Sequence, residues 1–251
     1  MLDKHNNLTH QTYQLSQCYK DKYKRTGDKM KSNIIKSALN KRYTVKEEIA
    51  NSITHGIGVL FGVAALTILL IFSIQKKEVV SIVSFSIYGL CIILMYLFST
   101  LYHSITNERT KKILRIFDHS SIYLFIAGTY TPIALLAMKG YLKIVILIAV
   151  WSIAVFGVIF KITTHSKMDR FRKLSLALYL GMGWIAVFTI KPIIAMTPIR
   201  FLAWIFGGGL MYTLGTIFYS IKNLPYSHAI WHIFVLGASV LHFLGIFLYL
   251  A

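Results

Sequence analysis

Negative charge is what this sequence has least of. Nine Asp and Glu stand against 27 Lys and Arg, giving a formal net charge of +18 over 251 residues. In a soluble protein that excess would point to nucleic acid. Here the basic residues crowd an N-terminal stretch and the short connectors between apolar blocks, where they act as topology signals, and no nucleic-acid partner is expected. Charge of either sign is sparse, at 14% of residues against 56% hydrophobic, and mean hydropathy is +0.61. That balance excludes a soluble domain of this size and defines an integral membrane protein. Cysteine is nearly absent. Cys18 lies in the polar stretch and Cys91 inside an apolar block, environments too different for pairing, so no disulfide framework exists and Cys91 reads as a small packing residue. Residues 1–42 lack the apolar core and cleavage site of a signal peptide, and nothing marks them for removal on export.

What is present is a basic tail followed by long apolar runs. Residues 1–42 read as a disordered cytoplasmic tail, within which Met30 opens a second basic run, "MKSNIIKSALNKR", and is an alternative start to Met1. In "YTVKEEIANSITHG", Thr44 followed three residues later by Glu47 is a capping-box pattern that starts a helix. Seven apolar blocks follow, near 50–74, 79–101, 115–138, 142–160, 172–191, 199–221 and 228–250, each meeting the roughly 20 residues a spanning helix needs. The expected fold is all-α, a seven-transmembrane-helix bundle over residues 43–251, with sequential neighbours antiparallel because their connectors are short. Glycines in "YLGMGW" and "FGGGLMYTLG" allow close backbone approach in blocks five and six, and Lys191 and Pro192 close block five. Counted on alternate sides, 21 Lys and Arg share the N-terminal side and 6 lie opposite, which places the N-terminus in the cytoplasm and the C-terminus outside.

On that topology the polar residues of three blocks meet at one depth. "FSTLYHS" sets Ser99 and His103 at the cytoplasmic end of block two, "RIFDHSSIY" sets Asp118 in the first turn of block three, and "PYSHAIWHIFVLGASVLHF" sets His228 and His232 in the first two turns of block seven. Residues four apart share a helical face, so His228 and His232 turn toward one point, as do Ser99 and His103. Three neutral imidazoles suit zinc, which in catalytic sites keeps a fourth position for water. Asp118 is the only carboxylate within the seven blocks as drawn, and a lone intramembrane acid needs a cation or a strong donor nearby. The other histidines read as bystanders. His55 joins Asn51 and Ser52 in a helix-packing network, His119 points about 100° away from Asp118 around the helix, His242 lies about 15 Å beyond His232, and His165 is solvated in a loop.

The stretches "EEIANSITHGIG", "FSTLYHS", "FDHSSIYLFIAGTYTP", "GGGLMYTLGTIFY" and "PYSHAIWHIFVLGASVLHF" together resemble the hemolysin III family, bacterial relatives of the progestin and adipoQ receptors, over roughly residues 43 to 251. The wider group includes alkaline ceramidases and is thought to share a metal-dependent hydrolase core of one Ser, three His and one Asp. The resemblance implies that Ser99, His103, Asp118, His228 and His232 fill those places. The leading expectation is a Zn2+-dependent hydrolase acting on an amide or ester bond of a membrane lipid in the bacterial plasma membrane. His103, His228 and His232 would be ligands, Asp118 the general base, and Ser99 a hydrogen-bond partner of Asp118 or of the developing oxyanion. Two alternatives belong to other classes. One is a receptor or membrane-state sensor with a structural zinc site; the other is a cytolysin, disfavoured because the polar residues gather at one end instead of lining a pore.

Overall fold

Inside a bilayer every backbone N–H and C=O must be satisfied within the chain, so apolar runs of this length become helices. The computed structural model describes residues 43–221 and 224–251, and the expected tail over 1–42, with Cys18 and the choice of start, lies outside the described residues. Seven helices are long and apolar enough to cross a membrane: Val45–Lys76, Val79–Ser104, Glu108–Ala137, Leu142–Thr163, Arg172–Ile194, Ile199–Ser220 and Ser227–Leu250, here spans one to seven. No strand occurs among the described residues.

The helices outrun the apolar blocks at their ends. Span one starts at Val45, directly after Thr44, as the capping pattern expects. Its Glu47 carboxylate reaches across to accept the Tyr226 N–H at 3.1 Å. Span three starts at Glu108 behind Asn107, whose side chain accepts the Thr110 N–H at 3.1 Å and satisfies one of the orphan donors of a helix start.

Span five departs from expectation. The sequence suggests one helix closed by Lys191 and Pro192, but the α-helix stops at Trp184, a 3-10 segment covers Ile185–Thr189, and a short helix then carries Lys191 and Pro192 on to Ile194. Pro192 has no N–H for the Phe188 carbonyl and its ring crowds that group, which accounts for a break one turn before it. The Tyr130 hydroxyl of span three covers the break, donating to the Gly183 carbonyl at 2.6 Å.

Spans one, two, three, six and seven approach one another closely at several glycines. The Tyr96 ring lies so close to Gly58 that any Cβ there would collide with it. The Tyr96 and Tyr212 hydroxyls meet Ser239 Oγ at 2.8 and 2.9 Å, while Ser239 donates to the Val235 carbonyl at 2.9 Å. Cys91 packs against Gly128, where an added Cβ would strike its Sγ, in keeping with its reading as a packing residue. His242 is buried too, its Nε2 donating to the Ile205 carbonyl at 2.9 Å. Spans four and five are tied by fewer polar contacts: Lys161 Nζ meets Ser175 Oγ at 2.6 Å, and the Tyr179 hydroxyl donates to the His119 carbonyl at 2.7 Å.

Candidate metal centre

Helix ends place the three histidines. His103 sits in the last turn of span two, and because span seven begins at Ser227, His228 and His232 fall in its first two turns on one face. His103, His228 and His232 each offer a ring nitrogen, all within 4.8 Å of one another. Their ring centroids stand 5.1, 5.4 and 4.5 Å apart for the pairs His103–His228, His103–His232 and His228–His232. All three are buried, with His228 the most accessible at 8% exposure and His232 at 0%.

The partners of the rings decide which nitrogen faces the cluster. His232 Nδ1 lies 3.2 Å from the Asn51 carbonyl, which can only accept, so Nδ1 carries the proton and Nε2 keeps its lone pair. The Thr54 hydroxyl stands 3.1 Å from the same Nδ1. His232 Nε2 is buried and makes no hydrogen bond. A buried acceptor in that state costs free energy unless something fills the place, and a cation among three imidazoles does so. The donor set therefore fits an imidazole-binding ion such as Zn2+, though nitrogen donors alone do not single out zinc among such metals.

Asp118 and Ser99 lie beside this cluster. Asp118 is 9% exposed and Ser99 1%. The Asp118 carboxylate lies within electrostatic range of Ser99 and His103. It is not part of the ligand-spaced group, so it stands farther out than a fourth ligand would. His119, expected to point away, turns back far enough for Nδ1 to approach Asp118 Oδ2 at 3.1 Å, though off the line of a good hydrogen bond.

Span one is the contribution that sequence reasoning missed. Glu48, outside the apolar block as drawn, lies in the first turn of the helix, and its Oε2 meets His103 Nδ1 at 2.6 Å while its Oε1 meets Lys111 Nζ at 2.6 Å. The packing network expected around Ser52 is present, with Ser52 Oγ 2.6 Å from Ser104 Oγ. Asn51 and His55, however, belong to the histidine cluster. The Asn51 amide nitrogen lies 3.4 Å from His103 Nδ1, and the His55 ring stacks on His232 with centroids 3.4 Å apart. Glu48, Asn51 and His55 share one helical face, and that spacing is the signal that could have found them. His165 is exposed in a connector, as expected.

A seven-span helical membrane protein with a buried histidine cluster at one end of the bundle is the class that fold and site define. The chain belongs to the Haemolysin-III related family, which matches residues 43–243. It is 49% identical over 207 residues to the hemolysin-3 homolog of Bacillus subtilis, covering 82% of this chain and 96% of that protein. It is 43% identical over 205 residues to hemolysin-3 of Bacillus cereus, covering 82% and 92%. A more distant relative is the human monocyte to macrophage differentiation factor, 28% identical over 219 residues, covering 84% and 88%.

Proposed function

We propose that this protein is a metal-dependent hydrolase of the bacterial plasma membrane that cleaves an amide or ester bond of a membrane lipid. The observation that carries the reading is the juxtaposition of three ligand-spaced, buried histidines with a buried Asp118 that is not one of them. His103, His228 and His232 would hold Zn2+, and residues 43–251 form the catalytic domain behind a separate tail at 1–42. The ion would supply Lewis acidity, polarising a carbonyl and acidifying water. Asp118 takes the proton of the attacking water and returns it to the departing amine or alcohol. Ser99, beside Asp118, would orient that carboxylate and not attack, because the three clustered histidines would be held as ligands.

An apolar cavity of about 140 Å³ supports a lipid as substrate. Its walls include Ile122 of span three, Tyr179 and Trp184 of span five, Tyr212 of span six and Trp231 of span seven. Ile122 is one helical turn beyond Asp118, and the Trp231 ring is 5.0 Å from His228, so the cavity begins where the reactive groups end. The positive-inside count supports a cytoplasmic position for this end of the bundle, and the lipid would enter sideways from that leaflet.

A sensor with a structural metal is the second reading, favoured by the way the histidines bind span two to span seven while Glu48 adds span one. One experiment separates the two. Metal content is measured by mass spectrometry in the wild type, in Asp118→Asn and in the double variant His228→Ala/His232→Ala. The hydrolase reading expects about one zinc per chain, kept in the Asp variant and lost in the double variant, with turnover of lipid amides or esters lost in both. Signalling and folding that survive Asp118→Asn without turnover in the wild type would favour the sensor, and a wild type that takes up no metal would sink both.

A further inference from the structure

Glu48 has no place in the hydrolytic scheme, yet it makes one of the shortest polar contacts among the described residues. Its Oε2 is 2.6 Å from His103 Nδ1, and its Oε1 is 2.6 Å from Lys111 Nζ. The lysine favours the ionised carboxylate, and an ionised carboxylate only accepts hydrogen bonds. The proton between Glu48 and His103 therefore sits on Nδ1, and Nε2 is the nitrogen that carries the lone pair. His232 is held in the same tautomer by an independent partner, the Asn51 carbonyl at 3.2 Å. Both partners, Glu48 and Asn51, come from span one, which contributes no histidine to the ligand-spaced group.

From this geometry we infer that Glu48 is a positioning residue for the metal centre: it fixes the His103 tautomer, aims Nε2 into the cluster and raises its basicity as a ligand. The inference rests on the metal-centre reading above. A carboxylate behind a ligating imidazole is a recurrent way of tuning metal affinity, and removing such a partner typically costs about 10–100-fold in binding. Lys111 tests whether the contact matters for the metal or only for helix packing. Its ammonium ties span three to span one through the same carboxylate and lies 5.1 Å from the Tyr102 ring, but it does not touch His103.

The test is zinc affinity of the full chain in detergent, measured by competition with a chelator, beside the melting temperature of the metal-free protein. Glu48→Ala is expected to weaken zinc binding by about 10–100-fold. Glu48→Gln keeps an acceptor for Nδ1 but loses the charge, and is expected to fall between Ala and wild type; it also carries the test if the Ala variant fails to fold. Lys111→Met is expected to lower the metal-free melting temperature while holding zinc affinity within about threefold of wild type, the scale of a partly exposed ion pair. Wild-type affinity in both Glu48 variants would overturn the inference, and so would a loss in Lys111→Met as large as that in Glu48→Ala, which would make Glu48 a helix clamp. A wild type that binds no zinc would instead overturn the metal-centre reading itself.

Discussion

Spans three and five meet the same bilayer in opposite ways. In the apolar stretch of span three 72% of residues are buried within the protein; in that of span five the share is 17%. Span three lies between neighbours that leave no room, with Tyr123, Ala127 and Ala134 at 0% exposure. Span five is broken at Ile185–Thr189 and turns Val187 and Phe188 outward, Phe188 at 75% exposure. The candidate site residues sit on spans two, three and seven, which are better buried, and span five adds mainly apolar and aromatic wall to the cavity, with Thr189 among it. The difference teaches that this bundle keeps its buried polar cluster on closely packed helices and gives its lipid-facing wall to a helix held by fewer neighbours.

Four substitutions sharpen or break that contrast. The largest effect belongs to the buried polar cluster. Asp118→Asn is expected to retain metal while hydrolysis of the preferred lipid falls by about 10²–10⁴-fold, the usual loss for a general base; measured turnover near wild type would remove Asp118 from the chemistry. Next, Gly58→Val drives a side chain into the Tyr96 ring and is expected to destabilise by about 1–3 kcal/mol, read as a lower unfolding midpoint in detergent. Tyr130→Phe strips the donor from the Gly183 carbonyl at the break in span five and is expected to cost about 1 kcal/mol, visible as faster amide exchange around Trp184. The smallest change carries the opposite sign. A Cβ at Gly181 meets nothing within 4 Å, so Gly181→Ala is expected to stabilise by up to about 1 kcal/mol through helix propensity. Equal losses at Gly58 and Gly181 would show that the two regions are packed alike and dissolve the comparison.

Much of this was legible in the sequence because a bilayer leaves few choices. Seven apolar runs had to be helices, and His228 and His232, four residues apart, had to share a face. Bringing His103 to them required only that spans two and seven have their polar ends on the same side. Span one could not be read the same way. Glu48 touches His103 across 55 residues of chain, and although its spacing with Asn51 and His55 marks one helical face of "KEEIANSITHG", nothing in that stretch says what the face meets. Glu47 instead accepts the Tyr226 N–H, a pairing set by where span seven begins. The break in span five was half legible: Pro192 marks a weak helix, but the sequence suggested an end where the chain instead continues through a 3-10 segment, whose start the Tyr130 hydroxyl covers by donating to the Gly183 carbonyl.

Ser239 has one more consequence. Its oxygen accepts from both Tyr96 and Tyr212, and its own hydrogen goes to the Val235 carbonyl, so the three hydroxyl hydrogens are all committed to one direction. A relay that ends on a peptide oxygen has no proton to hand on. The three hydroxyls thus act as a polar knot that fixes spans two, six and seven against one another in an otherwise apolar interior.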